Sequence, residues 1–235
     1  FEYIDNYFKE NHININFFFC SSYAKSIEYN KYFENYEKKV FLDIGYEKSC
    51  ISIFDKKRLV HFYSIPLGGN HVTKDISKVL QVSEKESEDL KQSFNRYETV
   101  FSDISKDESV SFDLIKNQAQ NNISSDILNK IIYARLDEIL NLSFKNIDFS
   151  TVLFDKKKSI LVLTGEGSKI LNKNSIYLED RFNFFNEMSF FEESPESICR
   201  AGFNFLKNAN LHEVSFMTKE PKKTGFFEKL FHLFR

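Results

Sequence analysis

Three short apolar runs follow one another closely in the first third of the chain. Val40 to Gly45, Cys50 to Asp55 and Leu59 to Leu67 each have the length and the β-branched or aromatic content of a strand, and the turn-prone stretches around Tyr46 to Lys48 and Lys56 to Arg58 separate them. Connections this short predict a meander. After Gly68-Gly69 the period changes to that of a helix, with Val72, Ile76, Val79 and Leu80 on one face. Ser83 followed by Glu86 is a capping-box signature, and it opens a charged helix running to about Arg96. Residues from Thr99 to Ile123 keep no steady period apart from strand-like Ser109 to Leu114. The strongest helical stripe comes next: Ile127, Leu128, Ile131, Ile132, Ile139 and Leu140 predict a helix over about Ser124 to Asn146. Lys156 to Lys158 reads as a solvated turn into a strand at Ser159 to Leu163, which a glycine turn and a last body helix at about Glu196 to Asn208 follow. Upstream, Phe1 to Asn11 reads as a helix feeding an apolar strand, Ile13 to Phe19.

The pattern at the C-terminus is of another kind. Pro221, Lys222, Lys223, Thr224 and Gly225 form a hinge, and beyond it Phe226, Phe227, Leu230, Phe231, Leu233 and Phe234 fall within an arc of roughly 160° on a helix. Glu228, Lys229, His232 and Arg235 take the other side. From Lys219 on, five basic residues stand against Glu220 and Glu228, a surplus of three positive charges. By itself such a segment fits either a terminal helix docked on its own domain or a helix lying in the headgroup region of an anionic membrane.

Composition narrows the classes. The 235 residues, 42% of them hydrophobic, suffice for one large domain or two small ones. A net charge of -2 argues against a nucleic-acid binder, since only the tail has a surplus of Lys and Arg. Cys20, Cys50 and Cys199 are odd in number and widely spaced, and His12, His61, His71, His212 and His232 form no ligand spacing with them. Neither disulfides nor zinc are expected, which suits a cytoplasmic chain. No apolar run approaches the ~20 residues of a membrane span. The 27 Phe residues fit a bias toward AT-rich codons and receive no functional weight as a group. A first residue that is Phe1 and not Met suggests an excerpt from a longer protein.

Two glycine turns carry the candidate chemistry. The first runs from Asp43-Ile44-Gly45 through Tyr46 to Ser49 into the next strand, a turn that aims backbone N–H groups and a hydroxyl at phosphate oxygens while a carboxylate at the strand end holds magnesium through water. The second is Leu163-Thr164-Gly165-Glu166-Gly167-Ser168, where glycines let a ligand approach the backbone at a strand-to-helix turn. Each turn alone is a weak signal.

In sequence order, Asp43-Ile44-Gly45 with its hairpin resembles the second phosphate loop of the actin and sugar-kinase superfamily, and Leu163 to Ser168 resembles its adenosine loop. Between them Ile65 to Ile76, with Pro66, Gly68 and Gly69, is similar to the turn and helix of the FtsA family of bacterial cell-division proteins. Ser87-Glu88-Asp89-Leu90-Lys91 is similar to the Ala-Glu-x-x-Lys of that family, and Ala134-Arg135-Leu136-Asp137-Glu138-Ile139 to its Ala-Arg-x-x-Glu-Ile helix. The resemblance covers about residues 10 to 235. It implies an α/β fold, the actin-like (ribonuclease H-like) second lobe with a mixed sheet and flanking helices. Residues 1–37 would be the tail of a first lobe and the inter-lobe connection, 38–211 the second lobe with a smaller subdomain at about 83–155, 212–225 a linker and 226–235 a membrane-targeting helix.

The resemblance also implies a task. ATP with magnesium would lie against Asp43, Gly45, Ser49, Gly68, Gly69, Glu88, Lys91, Gly165, Gly167 and Ser168, with Asp43 reaching the metal through water. Lys222, Lys223, Phe226, Phe227, Lys229, Leu230, Phe231, Leu233, Phe234 and Arg235 would meet an anionic membrane surface. The lobe would grip the C-terminal peptide of the tubulin-like FtsZ and self-associate into actin-like polymers, at the division site on the cytoplasmic face of the inner membrane. No contact residue for FtsZ follows, although Arg135 and Glu138 lie on the matching helix. Departures bear on catalysis. Where the family has Gly-Gly-Thr-Thr-Asp, the chain has Tyr46-Glu47-Lys48-Ser49-Cys50, losing two flexible glycines and a carboxylate, and Glu166 replaces the central glycine of the second turn. The expectation is a scaffold and not an enzyme, with at most vestigial hydrolysis. An actin-fold ATPase of chaperone-like or PilM-like kind, and a tether that has lost nucleotide, are the alternatives.

Overall fold

The computed structural model describes residues 2–15, 18–101, 125–145, 147, 158–171 and 176–208. Strands β1 (Lys38–Ile44), β2 (Ser49–Asp55) and β3 (Arg58–Ile65) form the expected antiparallel meander. A fourth strand, β4 (Ser159–Thr164), pairs parallel with β1, and β5 (Glu187–Phe190) pairs parallel with β4. The order is therefore β3-β2-β1-β4-β5, a mixed sheet whose parallel pair β1 and β4 is buried along nearly its whole length.

Alternation along the central strands divides the sheet into two faces. Val40, Leu42 and Ile44 of β1 with Leu161 and Leu163 of β4 face a large core. Helices α3 (Gly69–Leu80), α4 (Glu84–Phe101) and α5 (Ser125–Phe144) cover it through Val72 and Ile76, Phe94, and Ile132, Leu136, Ile139 and Leu140. The short helix α6 (Ile176–Phe182) adds Leu178 and Phe182. Phe41 and Val162 point the other way, to a smaller cluster with Tyr29 at the end of α2 (Ser21–Tyr29). That second face is completed by α7 (Pro195–Lys207), which packs along α2.

The predicted Ser83 cap closes as hydrogen bonds, and a second cap was not foreseen. Glu86 N donates to Ser83 Oγ at 3.2 Å while the Glu86 carboxylate accepts from Ser83 N at 2.9 Å, and α7 has the equivalent reciprocal pair between Ser194 and Ser197. The N-terminal helix forms at Glu2–Glu10. The strand expected at Ile13 to Phe19 does not: residues 13–15 and 18–19 pair with no strand of the sheet, so their backbone has no ladder to join, and Phe19 instead stacks on Phe205 of α7 with ring centroids 5.3 Å apart. The predicted strand Ser109–Leu114 and the C-terminal helix lie outside the described residues.

Candidate functional site

Register brings the glycine turns together. Asp43, one residue from the end of β1, pairs with Thr164 at the end of β4 and with Cys50 of β2. Asp43 and Thr164 have the parity of Phe41 and Val162, so they point toward α2. There Lys25 reaches down from the helix and places Nζ 2.8 Å from Asp43 Oδ2. Glu193, in the link from β5 to α7, lies 2.9 Å from the same ammonium and accepts a hydrogen bond from Thr164 Oγ1 at 2.7 Å. All three charged side chains are about nine-tenths buried. Burial works against the Lys25 charge, but the Asp43 and Glu193 carboxylates outweigh it and hold the ammonium above the usual lysine pKa.

This corner is filled to its backbone. A Cβ on Gly165 would stand 2.3 Å from Asp43 Oδ1, at a positive φ of 84° that already disfavours any side chain. Where the first turn meets the start of α3, a Cβ on Gly68 would come within 2.5 Å of Gly45 O and 2.6 Å of Tyr46 O. Gly45 N donates to Lys48 O at 2.9 Å and Ser49 Oγ to Leu67 O at 2.7 Å, so the first turn is bonded to itself and to the start of α3. The Glu47 carboxylate accepts from Asn70 Nδ2 at 2.6 Å and does not point at the glycines' meeting place.

A second corner lies on the α3 side. Lys91 of α4 donates to Glu88 Oε2 at 2.6 Å, Thr73 Oγ1 at 2.8 Å and Gly69 O at 3.2 Å. Glu88 also accepts from the Thr73 hydroxyl at 2.7 Å. Desolvation would raise the Glu88 pKa, but the bonds from Lys91 and Thr73 prevail and hold it below the usual carboxylate range. The Lys91 side chain is 8% exposed and that of Glu88 34%, so this pair reaches the surface through Glu88 alone. A Cβ on Gly69 would meet Gly167 Cα at 3.5 Å and Lys91 Nζ at 3.9 Å, ordinary contact distances with no collision.

Of the residues named from the sequence, Asp43 and Gly165 meet at the first corner, Gly69, Glu88, Lys91 and Gly167 at the second, and the Gly45 carbonyl is the shared neighbour of Gly68, Gly69 and Gly167. Ser168 donates to Gly165 O at 2.7 Å and closes the 3-10 turn Glu166–Ile170. Glu166 pairs outward with Lys169. Lys222, Lys223, Phe226, Phe227, Lys229, Leu230, Phe231, Leu233, Phe234 and Arg235 lie outside the described residues. Sequence reasoning missed Lys25, Thr73, Thr164 and Glu193. No local pattern pointed to the first of them, because Lys25 shares its helix face with Ser22, Ser26 and Glu28 and forms no apolar stripe.

The donor set can be tested against the implied ligands. The second corner offers a nucleotide a lysine, a carboxylate that is a third exposed and a hydroxyl beside Gly69, whereas a Cβ on Gly167 would stand 2.7 Å from Ile44 Cγ2 and 2.9 Å from Gly45 O. Magnesium at Asp43 does not fit, because Oδ2 is held by an ammonium at 2.8 Å and Oδ1 packs against the Gly165 backbone. A metal-bound water would have to displace a cation already there.

The family model described as "Cell division protein FtsA" matches residues 40–215. The chain belongs to the FtsA family. Two curated FtsA proteins are similar to it. That of Bacillus subtilis (strain 168) is 32% identical over 101 residues, 43% of this chain and 22% of the relative. That of Porphyromonas gingivalis (strain ATCC BAA-308 / W83) is 25% identical over 170 residues, 67% of this chain and 34% of the relative. The chain thus matches about a third or less of the length of these FtsA relatives. Among solved structures, MreB5 of Spiroplasma citri bound to ADP superposes with a TM-score of 0.58 at 16% identity, covering 91% of this chain and 67% of that one. A PilM-PilN type IV pilus biogenesis complex reaches 0.52 at 14% identity, covering 82% and 51%. At such identities the likeness concerns fold alone, and it makes this α/β sheet with flanking helices an actin-like one.

Proposed function

We propose that this FtsA-family chain serves a division scaffold that tethers FtsZ filaments to the cytoplasmic face of the membrane, with ATP held as an assembly ligand. The supporting observation is the succession along the chain: a family match over residues 40–215, then a hinge, then the basic, Phe-rich amphipathic stretch at 226–235. The lobe, read as 38–211 with a smaller subdomain at about 83–155, grips the FtsZ C-terminal peptide and stacks on copies of itself. The adenosine side of ATP lies at the corner of Gly69, Glu88, Lys91 and Gly167. Hydrolysis is not part of this reading, since the first turn has lost two glycines and gained Glu47.

A short helix with a small apolar face gives reversible attachment, to which each Lys or Arg near an anionic surface adds about 1 kcal/mol. Stable tethering therefore needs many tails presented together by a polymer. Co-sedimentation with vesicles of anionic and of neutral lipid tests the tether. Binding to the anionic vesicles should vanish in a protein cut after Met217 and in Phe227→Glu/Phe231→Glu. Equal binding by the truncated protein would remove the tail from the account.

A further inference from the structure

The first corner holds a cation of its own. Lys25 Nζ lies 2.8 Å from Asp43 Oδ2 and 2.9 Å from both carboxylate oxygens of Glu193, which is bidentate contact of one ammonium with one carboxylate and single contact with another. These groups come from three separate elements: α2, the end of β1 and the link before α7. Thr164 adds a hydroxyl to the same Glu193, and the Gly165 backbone closes the far side of Asp43. We propose that Lys25 replaces the divalent cation at this corner, so that the FtsA-type loop works here without a metal at Asp43.

Charge and burial carry the argument. Two carboxylates that are nine-tenths buried cannot both stay ionised without a cation between them. Without the ammonium, Asp43 and Glu193 leave a charge of about -2 beside the Thr164 hydroxyl, the charge and the hard oxygen donors that suit magnesium or manganese. With it, the oxygens that would face a metal or its waters are already donors' partners. The ammonium arrives with its helix, so the corner stays assembled whether or not a ligand is present.

Binding of Mn2+ tests this, followed by the paramagnetic resonance signal of the free ion on the intact protein, on Asp43→Asn and on Lys25→Ala. The unmodified protein and Asp43→Asn should bind Mn2+ alike, through surface carboxylates only. Lys25→Ala should gain one Mn2+ per chain, and the gain should disappear in Lys25→Ala/Asp43→Asn. Mn2+ bound by the unmodified protein and lost in Asp43→Asn would overturn the proposal, as would a Lys25→Ala protein that melts cooperatively yet gains no site. Should Lys25→Ala not fold, the comparison of the unmodified protein with Asp43→Asn still decides. A merely structural ion pair predicts a loss of stability in Lys25→Ala but no new metal site.

Discussion

Two lysines stand at the meeting place of the glycine turns, and they are held differently. Lys25 is enclosed by two carboxylates as buried as itself, in a corner where even a methyl group on Gly165 would collide with the Asp43 carboxylate and Ile44 O. Lys91 is as buried as Lys25, but its one carboxylate, Glu88, is a third exposed, and the neighbouring Gly69 has room for a methyl group. The same residue type thus completes a sealed unit on one side of the sheet end and, on the other, a cluster that reaches solvent through its carboxylate. A ligand gains little where both carboxylates are buried against one ammonium, and more where a carboxylate such as Glu88 reaches solvent.

Substitution of the two lysines should separate the corners most strongly. Lys25→Met strands two buried carboxylates and is expected to cost about 3–5 kcal/mol, the range for breaking a buried ion pair by removing one partner. Lys91→Met leaves Glu88 able to turn to water and should cost about 1 kcal/mol. Urea melts of both variants measure this, and equal losses would erase the distinction between sealed and open. The glycines should differ on a smaller scale, according to what a Cβ would meet. Gly165→Ala, strained by its positive φ, is expected to lose about 1–3 kcal/mol, and Gly68→Ala a comparable amount through its close carbonyls. Gly69→Ala should lose about 1 kcal/mol or less, since its Cβ finds ordinary contacts.

The pH dependence has opposite signs at the two corners. The raised Lys25 pKa means that its stabilisation is complete below the ordinary lysine value and is lost as pH climbs through the elevated one. The lowered Glu88 pKa means stabilisation that is complete above the ordinary carboxylate value and is lost as pH falls through the depressed one. Thermal melts should therefore show Lys25→Met trailing the parent throughout neutral pH and catching up only in strong base, while Glu88→Gln catches up in acid. The smallest expected effect is chemical. Cys20, at the start of α2, has its thiol pKa lowered by a hydrogen bond from Cys50, against the effect of burial and with help from the Tyr23 amide. Iodoacetamide near neutral pH should label Cys20 ahead of the more exposed Cys199, in a ratio readable by peptide mass mapping.

Legibility in the sequence followed the range of the interactions. The meander, the Ser83 cap and the helix stripe of α5 depend on neighbours a few residues apart, and each is visible as a local pattern. Helix α2 was not, because its inward positions are Ser22, Lys25, Ser26 and Glu28, polar residues that form no apolar stripe. Strand β5 is four residues long, too short for alternation to register, and α6 spans two turns. The glycine turns were legible as motifs, and the structure shows why they need glycine at Gly68 and Gly165. The partners that fill the first corner were not legible, since Lys25 and Glu193 stand 168 positions apart and nothing local couples them.

The central claim is that the open corner, and not the sealed one, receives an adenine nucleotide. Calorimetric titration of ATP into the intact protein and into Lys91→Met addresses it directly. The account predicts saturable binding that weakens about tenfold or more in Lys91→Met, a difference of about 1.4 kcal/mol. Absence of ATP binding by the unmodified protein, or equal affinity in the variant, would contradict it.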